Sequence, residues 1–86
     1  MIVQLRCFAA AREAAGRGAD DFSVGDDATV ADLLSAAATR YGDGFAAVVR
    51  ASRIWVNGDE PAAGPDTRLA PDDEVAVLPP VSGGDR

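Results

Sequence analysis

The chain has 86 residues, enough for one domain with a small core, because a domain of this length buries only about 60% of the surface its unfolded chain exposes. A hydrophobic fraction of 48% suits a packed fold; Cys7 is the single cysteine and histidine is absent, which excludes an intrachain disulfide, a four-thiolate iron–sulfur centre and an ordinary zinc ligand set. The formal charge is −6 and every basic residue is an arginine, a balance that disfavours nucleic acid and fits a basic protein partner.

The opening "MIVQLRCF" carries a charge within its apolar stretch and contains no long apolar run. Neither a signal peptide nor a membrane span is expected there, and a cytoplasmic chain is. Residues 2–8 alternate with period two. Val3, Leu5 and Cys7 fall on one face and Gln4, Arg6 and Phe8 on the other, which predicts a half-buried strand. "AAAREAAG" follows, with high helix propensity and Gly16 as a stop, and predicts one or two helical turns. "DDFSVG", residues 20–25, predicts a short second strand with Phe22 and Val24 on one face.

Thr29 with Asp32 three residues on is a capping-box pattern ahead of "VADLLSAAATRYG". Val30, Leu33, Leu34, Ala37, Ala38 and Tyr41 keep helical spacing, and Gly42 ends the pattern. "DGFAAVV", residues 43–49, adds a short helix. "SRIWVNG", residues 52–58, predicts a third strand closed by an Asn-Gly turn, with Ile54 and Val56 on one face and Trp55 on the other. The next ten residues read as turn with room for a minor strand. "APDD" predicts a type I turn with Pro71 at its second position. "EVAVL", residues 74–78, is the last strand; Pro79 and Pro80 end it because neither can donate to a ladder.

The order strand, strand, helix, strand, strand predicts an α+β roll of the β-grasp (ubiquitin-like) type. One main helix covers one face of a mixed sheet of four to five strands, and the first and last strands lie parallel at its centre. Residues 1–78 form this domain and residues 79–86 an extended tail. Six extended residues, "PPVSGG", reach roughly 20 Å, with prolines stiffening the base and glycines thinning the tip. Such a tail reads either as a frayed end or as a probe that another protein's active site admits.

The stretches "CFAAAREAAG", "ATVADLLSAAATRYG", "WVNG" and "LAPDDEVAVLPPVSGG" cover nearly the whole chain in order. Together they resemble MoaD, the small subunit of molybdopterin synthase, within the MoaD/ThiS sulfur-carrier group. "REAAG" and "DEVAVLPPVSGG" are the specific elements, and the first favours the MoaD type over the shorter thiamine-pathway carriers. The resemblance implies a carrier with no turnover of its own and no bound cofactor. A MoeB-like adenylating enzyme would use ATP to activate the terminal glycine carboxylate, and sulfur would then replace the acyl phosphate to leave a thiocarboxylate. The tail would enter a MoaE-like large subunit, in a heterotetramer of two small and two large subunits, and donate sulfur to a cyclic pyranopterin precursor.

By position, the resemblance makes Gly84 the activated glycine and Gly83 its neighbour. It places partner contacts at Phe8, Arg12 and Leu78, and along the tail at Pro79, Pro80, Val81 and Ser82. Asp85 and Arg86 depart from the pattern: with them attached, Gly84 has no free carboxylate. Either a peptidase trims the chain after Gly84 or this copy is not a working carrier. Phe8, Trp55 and Leu78 share the face opposite the helix by alternation; residues 59–70 could cover Trp55. Cys7 falls in phase with the core, where thiols are usually inert packing. Two further readings stay open: a sulfur carrier for another pathway (cysteine, thiamine or a secondary metabolite), and a ubiquitin-like interaction module or modifier that carries no sulfur.

Overall fold

The computed structural model describes Met1–Pro80; Val81, Ser82, Gly83, Gly84, Asp85 and Arg86 lie outside the described residues. The period-two stretch at the start forms β1 (Ile2–Cys7), with Val3, Leu5 and Cys7 buried as the alternation requires. Phe8 is still extended and caps α1 (Ala9–Ala15), which ends on Gly16 at φ 77°, a left-handed conformation that a glycine adopts without Cβ strain. The chain returns as β2 (Ala19–Ser23), antiparallel to β1, with Phe22 buried opposite Val3. Val24 falls just past this strand, half-buried against the core.

The crossover helix α2 (Val30–Tyr41) starts at the predicted box. The Asp32 N–H donates to Thr29 Oγ1 at 3.2 Å and the Thr29 N–H donates to Asp32 Oδ2 at 2.9 Å. Its buried stripe is Val30, Leu33 and Ala37, with Leu34, Ala36 and Tyr41 packed at the margin. Gly42 takes φ 103° and α3 (Asp43–Arg50) follows at once, so the short helical stretch is a full element. It buries Phe45 completely.

β3 (Arg53–Val56) ends in the Asn-Gly turn, with Asn57 at φ 51° and Gly58 at φ 86° as a type I′ turn demands. Residues beyond it form no fifth strand among the described residues. They make single bridges, Val56 to Asp59 and Thr29 to Arg68, around a 3-10 turn at Gly64–Asp66. The turn before the last strand differs from the type I expectation. The Asp73 N–H donates to the Ala70 carbonyl at 3.1 Å, but Asp72 has φ 68°, which belongs to type II. One long-range and one local bond hold it there: the Asp72 N–H donates to the Ile2 carbonyl at 2.9 Å, and within the turn Asp73 Oδ2 accepts from the Ala70 N–H at 2.8 Å.

β4 (Glu74–Leu78) completes a four-stranded mixed sheet in the order β2-β1-β4-β3, with β1 and β4 parallel at the centre. The α+β, β-grasp expectation holds. The helices and the buried faces of all four strands close one core, with Leu5, Phe22, Leu33, Phe45, Val75 and Val77 at its heart. Among the described residues the other face of the sheet carries no helix. Among the described residues no helix is long and apolar enough to cross a membrane.

Candidate functional site: the tail base and the open face of the sheet

The register decides which side chains meet where the tail leaves. Cys7 pairs with Val77, and the Phe8 N–H donates to the Val77 carbonyl at 3.3 Å. One residue further, Phe8 and Leu78 fall side by side on the open face. On the other flank Arg53 pairs with Leu78 and Trp55 with Ala76. One row back, Arg6 pairs with Ala76. The end of β4 is therefore bordered on the open face by Phe8 and Arg6 on one side and by Arg53 and Trp55 on the other.

Phe8 is 41% exposed, one of two large apolar side chains so open among the described residues, and a single exposed phenyl beside a half-buried Leu78 is a small apolar step next to the tail. Arg6 reaches across to Glu74, with Nη1 to Oε2 at 3.2 Å, and its guanidinium carbon lies 5.9 Å from the Phe8 ring centroid. Arg12 is exposed on α1. Its guanidinium lies over Gly18, where an added Cβ would stand in ordinary contact 3.7 Å from Arg12 Cζ. Pro79 is half-buried and Pro80 exposed. The structure thus places Phe8 and Leu78 together beside Pro79, with Arg12 on the neighbouring helix. The tail residues Val81, Ser82, Gly83 and Gly84 lie outside the described residues.

The alternation alone did not reveal a cleft of about 400 Å³ at the tail base, lined by Ala51, Arg53, Trp55, Leu78, Pro79 and Pro80. Trp55 is half-buried, and Arg53 and Trp55 also wall a second hollow of about 330 Å³ with Pro61 and Pro65. The loop after β3 therefore flanks the indole without sealing it. The phase of Trp55 was readable from the strand pattern; its meeting with Leu78 and Pro79 needed the pairing of two strands distant in sequence.

Among the described residues, the ionisable groups beside the tail base are Arg6, Glu74, Arg12 and Arg53. The Cys7 thiol is buried beneath the sheet, and burial first, then the Asp20 carboxylate, push its pKa up, so it packs as a neutral thiol. The densest polar cluster lies on the flank of the fold. Asp20 Oδ2 accepts from the Tyr41 hydroxyl at 2.5 Å and from Arg40 Nη1 at 2.9 Å, and Arg40 stacks 3.7 Å above the Phe22 ring. The hydroxyl bond and the arginine hold the Asp20 carboxyl below its usual range. This cluster ties β2 to the end of α2. Among the described residues no three potential ligands gather where they could hold a metal ion.

The described geometry is a half-buried apolar step flanked by arginines at the end of β4, and the comparisons bear on the family and fold that carry it. The ThiS family model matches residues 5–84. Small archaeal modifier protein 3 of Haloferax volcanii is 38% identical over 93 residues, covering 98% of this chain and 100% of that protein. The crystal structure of small archaeal modifier protein 1 from Haloferax volcanii superposes with a TM-score of 0.81 at 31% identity, covering 98% of this chain and 100% of the other. A Pyrococcus furiosus protein provisionally named molybdopterin converting factor, subunit 1, gives a TM-score of 0.82 at 28% identity, with 94% and 99% covered. A model match over nearly the whole chain, together with a full-length relative of this identity, makes the chain a member of the ThiS family, a small ThiS/MoaD-like protein of ubiquitin fold.

Proposed function

We propose that this protein is a sulfur carrier whose chemistry resides in the carboxyl of Gly84. The observation that carries the reading is the juxtaposition at the end of β4: the central strand runs straight into Pro79 and Pro80 beside the exposed Phe8, and "VSGG" follows. A partner that accepts the tail rests on Phe8 and Leu78, with Arg12 at the rim. Gly83 and Gly84 carry no Cβ and pass through a channel that other residues would block. In the adenylating partner the Gly84 carboxylate attacks the α-phosphate of ATP and pyrophosphate leaves. Hydrosulfide, or sulfur delivered at that oxidation level, then attacks the acyl-adenylate carbonyl carbon and displaces AMP, so the chain ends in a thiocarboxylate. The sulfur is softer and more nucleophilic than the oxygen it replaces. The molybdopterin role follows from the resemblance to MoaD and is supported by the Pyrococcus furiosus neighbour. There the acceptor is a pyranopterin precursor held by a MoaE-like large subunit, in an assembly of two small and two large subunits.

The 38% identity to a protein named as a modifier favours a second reading of the same activated carboxyl. In it an amine of another protein attacks Gly84 and an amide forms in place of the thiocarboxylate. Two measurements separate the readings. A form ending at Gly84 is incubated with a MoeB-like adenylating enzyme from the same genome, ATP and a sulfur donor, and its intact mass is read. Exchange of one oxygen for one sulfur, followed by molybdopterin formation when the large subunit and precursor are added, is the expected result. A thiocarboxylate that the large subunit does not use, together with Gly84-linked conjugates in cell extract, replaces the pterin role by the modifier role. Failure to adenylate with an enzyme active on its own partner removes both.

A further inference from the structure

The charges of this acidic chain are sorted along the strand axis. β1 and β4 run toward the tail, and β2 and β3 run away from it. Arg6, Arg12, Arg17, Arg40, Arg50 and Arg53 all lie on segments toward the tail end, and Arg68 alone among the described residues lies at the other. Asp26, Asp27, Asp59, Asp72 and Asp73 crowd that far end, in the loops where β2 and β3 stop and β4 begins. Among the described residues the carboxylates at the tail end are Glu13, Asp20, Asp21 and Asp43, and Asp20 is already shared by Arg17 and Arg40. Arg6 is paired with Glu74. Arg12, Arg50 and Arg53 make no ion pair among the described residues.

Of these three, Arg53 is the one set into a shaped surface. It stands across from Leu78 and lines the tail-base cleft with Trp55, Pro79 and Pro80. A protein that takes in the tail and packs along β4 on the open face covers Arg53, which pairs with Leu78. An arginine buried under a partner without a carboxylate is costly, while a paired one contributes selectivity against partners that lack the acid. The indole beside it offers a flat apolar wall, and Arg and Trp are the side chains on which interface energy concentrates.

We propose that the Arg53–Trp55 cleft is a docking and specificity site for an apolar segment carrying carboxylates, on the protein that accepts the tail. The apolar side chains of that segment lie against Trp55, Leu78 and Pro79, and a carboxylate pairs with Arg53. This rests on the tail-accepting reading above. The far end, with its run of aspartates, repels the same acidic surface and orients the approach tail first.

Trp55 is the chain's one tryptophan, so its emission reports on this cleft directly. The chain is titrated with the capped pentapeptide ELLEE, with KLLKK as control. A saturable change in Trp55 emission is expected with ELLEE, absent with KLLKK, weakened by salt and lost in Arg53→Glu. No saturable change with ELLEE, or equal changes with both peptides, overturns the proposal whether or not the chain proves to be a carrier. With the adenylating enzyme, Arg53→Glu in the form ending at Gly84 should raise KM for the carrier about tenfold with kcat unchanged, whereas Arg68→Glu at the far end stays near the parent. An unchanged KM in Arg53→Glu, with adenylation proceeding, overturns the proposal and leaves the carrier reading standing.

Discussion

The Tyr41 hydroxyl donates to Asp20 Oδ2 at 2.5 Å, joining the last residue of α2 to the second strand. Burial first, and then this bond to a carboxylate, push the tyrosine pKa up to about 12, from the 10.0 of an ordinary tyrosine. A group whose folded pKa is raised binds its proton more tightly in the native state. Its contribution to stability is complete below pH 10 and is lost as pH rises toward about 12. Asp20 has the opposite sign: its lowered pKa contributes above the ordinary carboxylate range and is lost as pH falls through the folded value. Urea unfolding of Tyr41→Phe is therefore expected to show a loss of about 1 kcal/mol at neutral pH and a flatter stability profile between pH 10 and 12. A variant whose alkaline profile parallels the parent shows that this pair does not govern alkaline unfolding.

Phe45 is fully buried, and its ring meets Tyr41 edge-on at 5.1 Å between centroids. Truncation in so small a core leaves a cavity that α3 cannot close without drawing away from α2. Phe45→Ala should cost about 3–5 kcal/mol. A domain of this size has a total stability on the order of 4–13 kcal/mol, so partial or complete unfolding at ambient temperature is expected. Circular dichroism and denaturant titration measure it. A loss under about 1 kcal/mol would mean that α3 packs far more loosely than the structure shows.

Phe45 also marks a limit on what the chain reveals when read as letters. The alternation in "IVQLRCF" and "EVAVL" assigns β1 and β4 with their buried faces, because period two is a local property. The Thr29–Asp32 box locates the start of α2 for the same reason. The helix at 43–50 was legible as a short segment, but its weight in the core was not, since depth depends on which helices pack over it. The turn at Ala70–Asp73 was assigned to the wrong type because the Ile2 carbonyl, nearly the whole chain away, fixes the Asp72 amide. The approach of Phe8 to Leu78 follows from the parallel pairing of the first and last strands. The Arg53–Trp55–Leu78 cleft was missed because it requires the β3–β4 register as well.

Phe8 tests the docking face. Its side chain is largely open and outside the core cluster, so Phe8→Asp should leave the thermal midpoint within a few degrees of the parent. An anchor at the centre of an interface typically loses on the order of 2 kcal/mol or more on truncation, roughly thirtyfold in affinity. Calorimetry against a MoaE-like large subunit should show that loss. Unchanged affinity with an intact fold places the docking surface elsewhere on the molecule. Unfolding of the variant would show that Phe8 contributes to the core after all.

Two charged residues follow the glycine pair. Asp85 follows Gly84, so the Gly84 carbonyl sits in a peptide bond and carries no ionised oxygen to attack ATP. The side chains of Asp85 and Arg86 are bulky and charged, and a channel that admits Gly-Gly rejects them both by shape and by the cost of desolvating a charge. Two forms are compared in one assay: one ending at Gly84 and one continuing through Arg86. With a competent adenylating enzyme, ATP and a sulfur donor, the form ending at Gly84 should gain one sulfur for one oxygen while the longer form keeps its mass. In extract of the native host, the longer form should be cut after Gly84 and then become reactive. Pretreatment with a peptidase inhibitor should block both changes together. Equal thiocarboxylation of the two forms would show that activation tolerates residues beyond the glycine pair, and processing would then have no role in switching the carrier on.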